Sequence, residues 1–579
     1  MKQSCMKNLI FTVLLFFNFQ LNSGQSTHFY LDENGVTIKC ENCVAGDTGT
    51  VNGILYEAVD RDLLIQRIKE RDYIVILCTS PVTDMSNLFS KVNNLSQDIS
   101  GWDVSNVTDM SNMFSGANNF RSDISAWDVS NVNDMDSMFL HARFFNSDIG
   151  SWNVSNVTTM NHMFSGATKF NQDLSKWNVS NVTDMNSMFS HAYVFNQDIG
   201  TWDVSNVTDM SSIFLMCKEF DQDLSNWDVS NVTNMSSMFH FAEKFNQDIG
   251  LWDVSNVLSM DKMFLSCKEF NQDLSKWNTS KVVKMDWMFA GASIFNQAIG
   301  SWNVSNVTDM SHMFSGTDKF NQDIGSWDVS NVLNMSHMFF LALSFNQDIS
   351  SWDVSNVIYM TGMFRSSGFN SDIALWKVSK VKDMSWMFAQ SNKFNHNISV
   401  WDVSSVEYMN SMFQESIFNS DISSWNVNSV KEMNQMFANS RFNGNISSWD
   451  MSNVTEMEEM FKGSVFNGEI GSWDVSNVTR MTDMFSSSKF NRDISNWNVS
   501  KVEWMINMFN NSVFNQDISS WNVSNVIGMD GMFSSCKEFN QDLSKWEVSN
   551  VKMCNCFNHQ TPQWTLPKPN FTNCDCECY

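Results

Sequence analysis

Nineteen tryptophans recur on one beat from Trp102 to Trp546, 25 residues apart as far as Trp352 and 24 or 25 thereafter. Self-similarity at so short a period is the mark of a solenoid, in which each repeat touches only its neighbours. A unit of this length cannot bury a core alone, but stacked units can. The unit reads F-N-Q-D-I-S-x-W-(D/N)-V-S-N-V-x-x-M-x-x-M-F, followed by four or five variable residues.

Ile124, Trp127 and Val129 are apolar, and Asp128 separates the last two. That alternation predicts a short strand with Trp and Val on one side. Met135, Met138, Phe139 and Ala142 then recur at a helical period. Ser130 or Asn131 is a natural N-cap for that predicted helix. The expected class is an α/β repeat: a right-handed solenoid of about 20 rungs of 24–25 residues, with one short parallel strand and one short helix per rung. At ~4.8 Å per rung it would be roughly 95 Å long. Every 24-residue unit loses its residue between Met-Phe and the next Phe, which marks that stretch as a surface loop.

Stacking turns the repeat into columns. Two of them hold 36 of the 41 methionines. At this spacing Met is core filler rather than a thioether copper site. The Trp column is expected in the core, and an Asn column (Asn146, Asn171, Asn246) is expected to satisfy turn backbone groups.

The strings Trp102-Asp103-Val104-Ser105-Asn106-Val107-Thr108-Asp109-Met110-Ser111-Asn112-Met113-Phe114 and Phe170-Asn171-Gln172-Asp173 resemble the BspA-like surface-protein repeat. The likeness spans about Leu77 to Phe557. It implies a leucine-rich-repeat-like fold, a surface location, and binding or adhesion rather than catalysis. It brings no catalytic residues.

The expected organisation is a signal peptide over 1–24, a capping segment over 25–76, the solenoid over 77–557 and a Cys/Pro-containing tail over 558–579. Lys2 and Lys7 precede the apolar run 9–17, which is short for a membrane span. Arg61 to Lys69 is an amphipathic helix candidate able to cover the open end of the core. Leu77 takes the Trp position of an imperfect first rung.

Cysteine usage fits export. Cys217, Cys267 and Cys536 replace a small loop residue and are expected to be buried. Cys40, Cys43 and Cys78 at one end, and Cys554, Cys556, Cys574, Cys576 and Cys578 at the other, are expected to staple the caps as disulfides. The alternative for the last three is a soft-metal site.

Net charge is −27, from 63 acidic and 36 basic residues, which argues against nucleic-acid binding. Columns of Asp (Asp123, Asp148, Asp173) make calcium a conceivable ligand, although no EF-hand or nonapeptide calcium loop occurs. No cofactor is otherwise expected. No recurrent catalytic set stands outside the repeat, so an enzyme is not expected. His312 and His337 share a column as solvated helix positions without a third metal ligand.

The expected function is a secreted or cell-surface binding or adhesion scaffold contacting an extracellular protein or glycan, with a structural spacer or coat component as the alternative. The candidate contact patch is Tyr359, Trp386 and Tyr408 on three consecutive rungs, seven or ten residues after their tryptophans and so on one face of the expected helix. Trp287 and Trp504 lie in the same two columns.

Overall fold

The computed structural model describes residues 28–70, 76–93, 95, 98–574 and 578. The expected signal peptide and Cys576 lie outside the described residues. At the N-terminal end, β1 (His28–Leu31) pairs antiparallel with β2 (Ile38–Glu41). β3 (Thr48–Val51), β4 (Ile54–Ala58) and β5 (Ile76–Cys78) form a second sheet, with β3 antiparallel and β5 parallel to β4. The helix α1 (Arg61–Glu70) falls on the amphipathic stretch read from the sequence and buries Leu64. Leu77 is buried in the same continuous core as the tryptophans.

Beyond this cap the described residues form one stack of rungs, joined by parallel single-residue bridges from Asp84 to Met553. The rung of Trp302 shows how each is built. Its Met310, His312, Phe314 and Gly316 amides donate to Asn334, Ser336, Met338 and Phe340 carbonyls of the next rung, at 2.7–3.0 Å. The amides between them turn inward: Met313 donates to Met310, Ser315 to His312 and Thr317 to Phe314. His312 and Gly316 have φ of +58° and +65°. Alternate amides thus go to the neighbour and to the rung's own turns.

This corrects two expectations. The Met-x-x-Met-Phe segment is a chain of tight turns, not a helix, and α1 is the one helix among the described residues. A turn chain buries Met310, Met313, Phe314 and Thr317, the i, i+3, i+4, i+7 pattern that a helix would also give. The inter-rung bridge sits on the residue before the first Met, not at Trp-x-Val. Trp302 ends one tight turn, its amide on the Ile299 carbonyl, and Val304 begins the next, which the Val307 amide closes on the Val304 carbonyl.

The Trp column is core, about 3% exposed throughout. From Trp127 to Trp546 each indole Nε1 donates to the Ile or Leu carbonyl that opens the Trp turn of the preceding rung. Successive rings stack, as at Trp277–Trp302, where the centroids are 6.1 Å apart. Phe314 packs 4.1 Å from Phe320 within its rung and 5.9 Å from Phe289 of the rung before.

The polar columns are equally committed. Asn303 and Asp309 accept the backbone N–H of the residue two ahead, an Asx-turn. Asp123, Asp173 and Asp223 do the same to Ser125, Ser175 and Ser225, and these hydrogen bonds hold their carboxyls below the usual range. Asn296 Oδ1 accepts from Asn321 N–H on the next rung, the ladder expected of the Asn column. Much of the acidity is therefore turn chemistry.

Cys217 and Cys267 are buried, their thiols bonded to the Phe189 and Phe239 carbonyls. Cys536 is buried, which pushes its thiol up to about 11. At the C-terminal end Cys554 is bridged to Cys574 and Cys556 to Cys578. Cys554 stands where the repeat has its first Met, so one bridge ties the tail to the core. Trp564 of the tail is 4% exposed and packs edge-on against Phe533 and Phe539, closing the open end. Cys40, Cys43 and Cys78 differ from the disulfide expectation and stand as thiols. Cys78 is buried in a small second core with Ile38, Val51 and Tyr56, its Sγ against the Ile38 carbonyl.

Replacing Trp302 by Ala should cost about 3–5 kcal/mol, the range for truncating a large buried aromatic. Trp302→Phe keeps most of the apolar surface but strands the Leu274 carbonyl that accepts its indole N–H, for about 1–3 kcal/mol. Urea denaturation of both variants checks the order. A loss near zero for Trp302→Phe would mean that the indole hydrogen bond contributes nothing.

Candidate functional site

On the loop edge, the rung of Trp352 carries four residues (Arg365 to Gly368) where the rungs of Trp327 and Trp376 carry five. This is the first short loop in the array. A short loop between two longer ones leaves a notch of about 490 Å³. Leu341 and Leu343 of the preceding rung form one wall, 40% and 54% exposed. Ser367 and Gly368 line the notch and are themselves buried. A Cβ on Gly368 would run into the Leu343 carbonyl, so only glycine lets the two loops approach. Gln390, Asn392, Lys393 and Glu415 complete the lining. Ser366 Oγ donates to Gln390 Oε1 at 2.8 Å, and Gln390 Nε2 donates to Glu415 at 3.3 Å.

Beside the notch, the Arg365 guanidinium lies 4.2 Å over the Trp386 ring and 5.5 Å from that of Phe340. Among the described residues Arg365 makes no ion pair, and its Nε is buried without a hydrogen-bond partner. The aromatic run continues toward the N-terminus. His337 meets Phe340 edge-on at 5.8 Å, His312 stacks on His337 at 4.7 Å, and Trp287 stacks on His312 at 3.6 Å. These histidines are half-buried in a stack, not solvated as expected. Burial holds His312 down to about 4 and lowers His337, with the neighbouring charge of Arg365 adding to the latter. Among the described residues seven buried side-chain polar atoms lack a partner, and five of them belong to His312, His337, Arg365, Ser391 and Gln414 on this stretch.

The candidate patch comes out differently from its expectation. There is no helix to bring offsets seven and ten onto one face. Tyr359 and Tyr408 are bridge residues with Asp383 between them in the ladder. Tyr359 is 48% exposed and Tyr408 half-buried. Trp386 and Trp287 occupy left-handed turn positions, with φ of +62° and +59°. Trp386 is engaged by Arg365 instead of by either tyrosine. Trp504 lies farther along the bridge column, its ring over Gly528, where a Cβ would collide with it. Arg365, Phe340, Leu341, Leu343 and Lys393 were missed in the sequence. The usable signal was the single short loop between long ones.

The Trp-bearing face departs from pattern at the same rungs. Lys377 stands where nearly every rung has Asp or Asn after its Trp. Leu375 and Val400 beside it are 82% and 69% exposed, and with Lys377 they line a cleft of about 500 Å³. Among the described residues no three metal-ligating side chains gather, and no helix is long and apolar enough to cross a membrane.

The geometry defines a parallel repeat solenoid. The family model described as "Mycoplasma protein of unknown function, DUF285" matches residues 83–200, 193–299, 267–370, 365–468 and 462–565, and the chain belongs to that family. No curated protein matches it. Among solved structures it is similar to the leucine-rich-repeat ectodomain of the receptor kinase GASSHO1/SCHENGEN3 from Arabidopsis thaliana, in complex with CASPARIAN STRIP INTEGRITY FACTOR 2, at 9% identity over 80% of this chain and 75% of that one, with a TM-score of 0.14. It is also similar to the TLR13–ssRNA13 complex, at 9% identity over 86% and 85% and a TM-score of 0.17.

The histidine stack makes stability depend on pH. A folded value near 4 for His312, against about 6.5 when unfolded, means that the unfolded chain takes up the proton first as pH falls. The contribution is complete above about 6.5 and is lost as pH drops toward 4. His337 and His240 are lowered in the same direction. The melting temperature should therefore fall between pH 7 and 5, and His312→Asn/His337→Asn should show a shallower fall. An unchanged slope would mean that these rings titrate in solvent.

Proposed function

We propose that this protein is a secreted or cell-surface binding scaffold without catalytic activity, wound as a right-handed leucine-rich-repeat-like coil, that engages an extracellular protein or glycan through the loop edge around the rungs of Trp327 to Trp401. The observation that carries this reading is the concentration of departures from the repeat. Elsewhere most buried polar side chains are absorbed into turns and ladders, with Asn161, His240 and His312 the exceptions among the described residues. On these rungs a guanidinium, the His337 imidazole and an exposed leucine pair stand outside that scheme. Exposed apolar surface beside unpaired cations is the composition of a contact site. A rigid stack holds such groups in place at little ordering cost. The pair of bridges at the C-terminal cap suits an oxidising compartment.

The test is binding of the purified chain to a glycan and cell-surface protein array, with and without calcium. A variant carrying Tyr359→Ser, Trp386→Ser and Tyr408→Ser should lose binding at least tenfold while keeping its melting profile, with Trp386 the dominant change because it carries Arg365. Wild-type chain that retains no array component would favour the spacer reading. Binding indifferent to the triple change would move the contact off this edge.

A further inference from the structure

We propose that the notch behind Arg365 is a binding pocket for a single carboxylated amino sugar, the sialic-acid class, at the end of a glycan. This rests on the scaffold reading and adds the ligand's chemistry.

The anion requirement comes from unpaired cations. The chain carries −27 overall, so its surface field disfavours anions in general. Along the sequence from Arg365 to Lys393 the balance reverses, with five cations (Arg365, Lys377, Lys380, Lys382, Lys393) against Asp372 and Asp383, while Glu415 joins Lys393 in the lining of the notch. Lys380 bonds to Asn356, and Lys382 pairs with Glu407. Lys377 belongs to the opposite cleft. Arg365 and Lys393 remain, beside and within the notch, and among the described residues neither makes an ion pair. A guanidinium seated 4.2 Å over the Trp386 ring has already lost much of its rotamer freedom, so it can pair with a planar carboxylate at small further cost.

The remaining lining specifies the rest of the ligand. Leu341 and Leu343 offer an apolar wall suited to a methyl such as that of an acetamido group. Gln390, Asn392 and Ser366 supply amide and hydroxyl partners for sugar hydroxyls. Glu415, held by Gln390, accepts hydrogen bonds and repels a second anion beside it, so the ligand must bring a hydroxyl or amide N–H to that side. Ser391 is 1% exposed, and its Oγ is unpartnered next to two lining residues, whereas Ser367 and Ser416 in the same column bond to their own turns.

The size fits one residue of a glycan. A notch of about 490 Å³ lies within the range of small-ligand pockets, roughly 300–1,000 Å³. An extended peptide is disfavoured for a separate reason. Strand addition needs free main-chain groups, and here the Arg365 and Ala389 carbonyls already accept from Leu341 and Ser366 of the rungs before them.

The experiment titrates the full chain with α2,3-sialyllactose, with lactose, and with the peptide acetyl-Gly-Gly-Leu bearing a free carboxylate. Saturable binding of sialyllactose with none of lactose is expected. Lys393→Gln alters an exposed side chain and should weaken binding at least tenfold with no change in melting. Arg365→Gln should weaken it further, and Arg365→Lys should not restore it, because lysine lacks the planar bidentate fork of the guanidinium. Absence of sialyllactose binding overturns the assignment, as does binding unmoved by Lys393→Gln and Arg365→Gln, or tighter binding of the peptide. If array binding is present and the triple aromatic variant abolishes it while sialyllactose fails to bind, the ligand class falls and the scaffold reading stands.

Discussion

The structure depends on how each rung divides its backbone hydrogen bonds. Alternate amides in the turn chain go to the next rung, and those between them close the rung's own turns. A helix would keep all of them inside the segment and leave the rungs held by side chains alone. Here each rung is half-finished without its neighbour, so stacking is obligatory. The left-handed turn positions follow from this arrangement. Residues as varied as Asn112, Lys262, Trp287 and Glu459 sit at φ near +55 to +60°. An isolated left-handed residue costs about 1–2 kcal/mol, and the inter-rung bonds made by the same residues offset that cost.

The indole column adds a second tie between rungs. Many of the rings stack on a neighbour, as Trp302 does on Trp277, and from Trp127 onward each N–H reaches a carbonyl of the rung before. That carbonyl precedes the turn that carries the earlier tryptophan, so the tie spans the one part of the rung that the bridge ladder does not cover. Trp564 repeats the device at the C-terminal end, its Nε1 on the Gln541 carbonyl. The tail is therefore a cap that reuses the repeat's own chemistry.

The columns were legible in the sequence because burial depends on spacing, and the spacing is visible. Trp, Val, Met and Phe each fell where their period put them, and the three Ala-column cysteines are buried as read. The local conformation was not legible. A run of tight turns and a helix bury the same i, i+3, i+4, i+7 positions, and only the destination of the amides separates them. The aromatic patch failed for that reason: offsets seven and ten share a helical face but not a turn chain. The notch was half-legible. The missing residue in the loop 365–368 could be seen, but not that Gly368 would let Leu343 approach, nor that Arg365 would settle on Trp386. The N-terminal cysteines show a different limit. A count of thiols cannot reveal that Cys78 is enclosed in an apolar core.

The central claim is that the tryptophans tie each rung to the one before it through the indole N–H. Hydrogen–deuterium exchange of the indole N–H groups, followed by two-dimensional NMR of tryptophan-labelled protein, tests it most directly. Slow exchange is expected for the repeat tryptophans from Trp127 to Trp546, as slow as that of the Met310 and Phe314 amides in the inter-rung ladder. Indole exchange at the rate of a solvent-exposed tryptophan, with those backbone amides still protected, would contradict the account.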